Sequence, residues 1–128
     1  MTNAEPVVRE GVALEDASDQ RLAVTAKFFH GLSDLTRLRI VEVLLEGEQN
    51  VSELVTLLGQ PQSRVSNHLA CLRWCGYVDS RRDGKFVYYR VADPRIRQLV
   101  ELARSVIADN AASVLSCTRI DASPGAAM

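Results

Sequence analysis

The residues best equipped for chemistry in this sequence are three cysteines, Cys71, Cys75 and Cys117. Cys71 and Cys75 are four positions apart, so on a helix they lie on one face with Cβ atoms roughly 5 to 6 Å apart. Metal–sulfur bonds near 2.3 Å or longer set two thiolates on one ion at about 4 Å, a separation that rotation about χ1 can reach. A disulfide between them needs a torsion that a regular helix makes awkward. Three soft sulfurs, with no histidine after His68, favour Cd(II), Pb(II) or Hg(II) over oxygen-seeking ions, and Zn(II) would want a fourth ligand with no candidate. Free cysteine also packs as a small hydrophobe, and for Cys71 or Cys75 alone that reading weighs evenly. Cys117 shifts the balance, because a thiol at the edge of an Ala/Ser-rich tail has no packing reason to be there.

A second group of residues suits recognition. Gln62, Ser63, Arg64, Ser66, Asn67 and His68 crowd the start of the segment that carries Cys71 and Cys75, and such side chains hydrogen-bond base edges and phosphates. The chain has a net charge of −1, yet residues 59–97 hold eight basic side chains against three acidic, while residues 34–58 hold two against five. Positive charge gathered in one stretch is the footprint expected where phosphates are met. Within it, Arg81, Arg82 and Lys85 form a compact basic group.

These residues must be positioned by a small domain. With 128 residues, 47% hydrophobic and 24% charged, the chain is long enough for one core. No apolar run reaches the roughly 18 to 20 residues of a membrane span, and the acidic start, with Glu5, Glu10, Glu15 and Asp16, is unlike a secretory signal; this predicts a cytoplasmic protein. An odd number of cysteines in a reducing compartment argues for thiols or metal ligands. Residues 1–18 read as a loose arm. A first helix is expected from Ser18 or Asp19 to about His30, with Leu22, Ala26 and Phe29 on one face. Asp34 or Ser33 caps a second helix ending at Gly47, and Ser52 caps a third, Glu53 to Leu58. Gly59 supplies a left-handed closing residue and Pro61 suits the start of the next helix, which together predict a helix-turn-helix with its second helix at Gln62 to Cys75. Trp74 is expected to be partly buried. Beyond Gly76 the pattern alternates: Tyr77 to Arg82, a turn at Asp83-Gly84, then Lys85 to Val91, a hairpin wing with a basic tip.

From Asp93 and Pro94 a single amphipathic helix of about twenty residues is expected, its stripe running from Ile96 to Val114 and suited to packing against a second copy of the chain, together with the first helix. The fold class is therefore mainly α with a β-hairpin wing, a winged helix-turn-helix dimeric through its terminal helices. Its domain spans residues 19–115, followed by a tail, 116–128, that carries Cys117.

Four stretches, Leu32 to Ile40, Val51 to Leu54, Gln62 to Leu69 and Gly84 to Arg90, resemble the ArsR/SmtB metalloregulatory repressors. The resemblance implies a homodimer that leaves its operator DNA when a toxic metal binds. Family members that place cysteines near the start of the third helix have Asn50-Val51-Ser52 as their counterpart here, which offers no ligand. Those with Asp and His pairs along the last helix meet Asp93 and Arg95. What remains, Cys71, Cys75 and Cys117, is similar to the arrangement of the CmtR-type cadmium and lead sensors, and a relative of the actinobacterial mercury sensor is a further possibility.

The sequence thus points to a metal-responsive repressor, with DNA contacts at Gln62, Ser63, Arg64, Ser66, Asn67, His68, Arg81, Arg82 and Lys85 and metal ligands at the three cysteines. Two alternatives stay open: a thiol redox or persulfide sensor on the same fold, and a DNA-binding module without any ligand. An enzyme is not indicated, since there is no phosphate loop, no nucleophile beside a histidine and no acid pair in an evident cleft.

Overall fold

The structure, a computed structural model, describes residues 17–118. Helix α1 spans Ala17–His30 and α2 Leu35–Leu45; strand β1 (Gln49–Asn50) leads into α3 (Val51–Leu58) and α4 (Gln62–Trp74). The hairpin β2 (Val78–Asp83) and β3 (Phe86–Val91) follows, then α5 (Arg95–Ala108) and α6 (Ala111–Leu115). The three strands form one antiparallel sheet in the order β1-β3-β2. The chain divides into two compact units, one ending at Ala92 and the other beginning at Asp93.

In the first unit the core is built where apolar faces of three helices meet the base of the hairpin. Ile40, Val41 and Leu44 of α2, Leu54 and Leu58 of α3, Val65, Leu69 and Leu72 of α4, and Tyr77 and Val78 are all buried. The helical spacing of these residues is what the sequence pattern requires of one-sided burial. This is the winged helix-turn-helix expected from the sequence.

Local chemistry sets the joints. Asp34 caps α2, its Oδ2 accepting from the Arg37 N–H at 3.0 Å. The cap of α3 is Asn50 rather than Ser52: Asn50 Oδ1 accepts from the Glu53 N–H and the Glu53 carboxylate accepts from the Asn50 N–H, each at 2.8 Å. This reciprocal box starts the helix two residues earlier than expected. Gly59 closes α3 at φ +66°, the left-handed region that glycine enters without penalty. Helix α4 ends in a Schellman motif, with the Gly76 N–H on Arg73 O and the Tyr77 N–H on Leu72 O.

Two further expectations shift. In the wing, Asp83 pairs with Phe86, so the turn residues are Gly84 and Lys85 rather than Asp83 and Gly84; Gly84, at φ +64°, takes the first turn position that an L side chain resists. The expected single C-terminal helix is instead two, α5 and α6, broken at Asp109-Asn110, where the Asn110 N–H bonds tightly to Ile107 O at 2.7 Å. Asp and Asn compete with the helix for backbone partners and so favour such a break. The arm assigned to residues 1–18 lies outside the described residues except for Ala17 and Ser18, which are helical, and residues 119–128 of the tail also lie outside them.

Helix α1 buries none of its residues: Leu22 and Phe29 are exposed in the single chain, as are Leu102, Val106 and Ile107 of α5. Among the described residues no helix is long and apolar enough to cross a membrane.

Candidate nucleic-acid interface and thiol pair

Helix α4 carries both groups of chemistry. Its buried Val65, Leu69 and Leu72 fix one side against the core, and Gln62, Ser63, Arg64, Ser66 and Asn67 stand exposed. Pro61 precedes the helix at φ −60° and ψ 149°, and the leading N–H groups of its first turn have no side-chain cap. Trp74 corrects the expectation of partial burial. It is 74% exposed, because it falls on the side of Ser63 and Asn67, opposite the core-facing residues.

His68 is turned inward. Its side chain is only 18% exposed, with Nε2 3.8 Å from Asp34 Oδ2 and Nδ1 3.4 Å from Arg37 Nη1. The helical period places it on the flank shared with Arg64, Cys71 and Cys75, so the geometry makes it a brace between α4 and α2 rather than a freely presented donor.

Arg81 is likewise committed. Its Nε and Nη2 donate to the two Glu48 carboxylate oxygens at 2.9 and 2.8 Å, its Nη1 lies 3.7 Å from Asp83, and the guanidinium sits 4.9 Å from the Tyr88 ring centroid. The paired guanidinium holds the Glu48 carboxyl below its ordinary range. Arg90 is tied across the hairpin to Asp79 at 2.7 Å. Arg82 and Lys85 have lesser ties, a 3.5 Å bond from Arg82 to Gly84 O and the Lys85 ammonium 5.8 Å from the Phe86 ring centre. Of the three basic wing residues expected to reach DNA, Arg82 and Lys85 are free to do so, whereas Arg81 anchors the wing to the segment before β1. The sequence carried no signal for Glu48, because the pairing spans 33 positions.

Cys71 and Cys75 are free thiols, both half-buried, and near enough for Cys71 to raise the pKa of Cys75. Burial pushes the Cys75 thiol up from its ordinary pKa, and the neighbouring Cys71 adds to the shift, while Arg37 and Lys27 oppose it. Cys75 lies near the glycine that ends the α1 turn: a Cβ placed on Gly31 would stand 3.4 Å from Cys75 Sγ, 3.0 Å from Tyr77 Cε2 and 3.1 Å from Phe28 O. Cys117 is a free thiol just beyond α6, in the second unit, and is also half-buried. Among the described residues no three Cys, His, Asp or Glu side chains converge on a common point. Cys71 and Cys75 thus stand as a pair whose donors fit a thiophilic ion, with its remaining ligands to come from elsewhere.

Three comparisons place this geometry among known proteins. Residues 34–80 match the model of the bacterial regulatory protein, arsR family. The chain is 53% identical over 96 residues to a probable mercury resistance operon repressor of Streptomyces lividans, covering 75% of this chain and 77% of that one. It is 41% identical over 91 residues to the HTH-type transcriptional regulator CmtR of Mycobacterium bovis, covering 70% and 77%. In structure it is similar to the homodimeric winged helix-turn-helix DNA-binding domain of Mb0332 from Mycobacterium bovis, with a TM-score of 0.70 at 28% identity, covering 77% of this chain and 91% of that one. With its helix-turn-helix, basic wing and this degree of identity, the chain belongs to the arsR family of bacterial regulatory proteins.

Proposed function

We propose that this protein is a cytoplasmic, metal-responsive transcriptional repressor that holds operator DNA as a homodimer and lets it go when Cd(II), Pb(II) or Hg(II) binds its cysteine thiolates. The observation that carries the reading is the position of the thiol pair. Cys71 and Cys75 sit on a flank of the same helix that presents Gln62, Ser63, Arg64, Ser66 and Asn67, so capture of an ion and contact with DNA act on one rigid element. Arg82 and Lys85 meet the phosphate backbone from the wing, and His68 and Arg81 hold the reading helix and the wing in place. Cys117 supplies a third thiolate. A homodimer is supported by the apolar residues that α1 and α5 leave exposed and by the dimeric Mb0332 domain. The mercury resistance repressor supports a soft-metal effector.

A thiol redox switch at Cys75 is disfavoured by the burial that raises its pKa, since oxidant chemistry needs the thiolate. A metal ion brings its own binding free energy to displace the proton.

The test is a titration of Cd(II), Pb(II), Hg(II) and Zn(II) into the full chain, following thiolate-to-metal absorption alongside anisotropy of labelled upstream DNA. The expected outcome is thiolate absorption with a soft ion and a loss of operator affinity of about tenfold or more, a coupling within the usual 1 to 3 kcal/mol. Replacement of Cys71, Cys75 and Cys117 by Ser should abolish both. Unchanged affinity with all of the soft ions would refute the reading.

A further inference from the structure

The C-terminal turn of α1 is held from three sides. The Tyr77 hydroxyl donates to Phe28 O at 2.7 Å. The Arg37 guanidinium donates from Nε to Gly31 O at 2.7 Å and from Nη2 to His30 O at 3.2 Å, so carbonyls that a helix end leaves unpaired are claimed by α2. The third side is Cys75, whose sulfur stands 3.4 Å from where a Cβ on Gly31 would be. The remaining arm of the same guanidinium, Nη1, reaches His68 of α4 at 3.4 Å, and Asp34 faces both: its Oδ2 accepts the Arg37 backbone N–H and stands 3.8 Å from His68 Nε2. Arg37 therefore touches the turn that walls in Cys75 and also the reading half of α4, one helical turn before Cys71.

We infer that Arg37 is the positioning residue through which occupancy of the Cys71–Cys75 pair is felt by the DNA-reading half of α4. The inference rests on the metal reading above. A thiophilic ion held by both thiols bonds each sulfur at about 2.3 Å or somewhat longer, so its place is between Cys71 and Cys75, away from Gly31. On capture, such an ion draws the Cys75 sulfur toward Cys71 and off its place beside Gly31, and the turn loses that seat. Because a guanidinium is a planar, rigid fork, its Nη1 cannot stay on His68 while Nε and Nη2 follow displaced carbonyls. The turn and the reading half of α4 then prefer different Arg37 placements in the free and metal-loaded protein. Such a two-state element, biased by both ligands, is the physical requirement for coupling.

The test uses Cd(II) as the probe on the full-length wild type, Arg37→Lys and Arg37→Gln. The Lys variant keeps the charge and a single donor nitrogen but removes the fork, and is the one expected to fold if Gln is not tolerated. For each protein the ratio of operator Kd with saturating Cd(II) to that without is measured, together with thiolate-to-Cd absorption and thermal stability. The expected result is a ratio of about ten or more in wild type that falls to within about threefold of one in the variants, with Cd–thiolate absorption retained. A merely structural role for Arg37 would lower stability and metal-free operator affinity but leave the ratio at its wild-type value. A wild-type ratio well above one that both variants keep overturns this inference alone, whereas a wild-type ratio of one overturns the metal reading and the inference with it.

Discussion

Arg81 and Arg82 are adjacent, and on sequence alone they are equivalent candidates for phosphate contact; the structure separates them. Arg81 is held by both oxygens of Glu48 at 2.8 and 2.9 Å with Asp83 at 3.7 Å, so its charge is already answered by two carboxylates, while Arg82 has a single long bond to Gly84 O. A cation that neutralises one phosphate adds about 0.9 to the slope of log affinity against log salt. Two wings per dimer make that about 1.8, so between 50 and 200 mM salt an Arg82→Gln dimer should lose about 12-fold less affinity than wild type. Lys85→Gln should behave in the same way. Arg81→Gln should leave the slope near the wild-type value and act instead through a loosened wing, which lowers affinity by a similar factor at every salt concentration. The assay is fluorescence anisotropy of labelled operator across a salt series for the four proteins. If Arg81→Gln flattens the slope as much as Arg82→Gln, Glu48 does not hold Arg81 away from DNA and the reasoning fails.

Three further outcomes are expected. Tyr77→Phe removes a buried hydroxyl bonded to Phe28 O at 2.7 Å while keeping the ring stacked on Phe28, and should cost about 1 kcal/mol, read as a fall of about 5 °C in the midpoint of thermal unfolding. Asn50→Ala breaks the reciprocal cap of α3 at a buried position and should cost about 1 to 2 kcal/mol in a denaturant titration, with Asn50→Asp retaining most of the stability. Because burial raises the Cys75 pKa, metal capture there expels a proton at neutral pH, so apparent Cd(II) affinity should climb with pH by up to about tenfold per unit for each proton released, and keep climbing past the point where an ordinary cysteine levels off. In the metal-free protein the same raised pKa has the opposite consequence. The neutral thiol is the form the fold favours, so its contribution is complete at low pH and lost as pH rises through the folded value; Cys75→Ser should remove that alkaline loss.

The fold was legible because its signals are local. Gly59 with Pro61 marks the turn between two helices, the alternation from Phe86 to Val91 marks a strand, and the spacing of Val65, Leu69 and Leu72 marks a buried face. What escaped were choices that depend on distant partners or on close competition. Strand β1 is two residues long, and only its pairing with Tyr88 and Tyr89 makes it a strand. Asn50 prevailed over Ser52 as a cap because Glu53 stands three residues after it and completes the box. His68 and Arg81 belong to residue types that contact DNA, and nothing near them in sequence announces that Asp34, Arg37 and Glu48 would claim them. Trp74 departs from expectation for the converse reason: size and apolarity suggest burial, but helical phase decides it.

The arrangement on α4 also limits how a bound ion can act. From Asn67 to Cys75 is eight residues, about 12 Å along a helix at 1.5 Å per residue. The helix is pinned by Val65, Leu69 and Leu72, all fully buried, and an ion bridging Cys71 and Cys75 joins residues one turn apart that the helix already holds together. Such a bridge adds nothing to the internal geometry of α4 and does not reshape the row of Gln62 to Asn67. Its influence has to pass through what surrounds the thiols: the α1 turn at Gly31, held by Arg37 and Tyr77, or a further ligand drawn in from outside the pair. Either route would act on α4 as a rigid body rather than on its internal geometry. A dimer reads two half-sites at a fixed separation, so a rigid-body shift of each α4 changes the spacing between the two reading helices, and operator affinity is sensitive to that spacing even when every base-contacting side chain keeps its conformation.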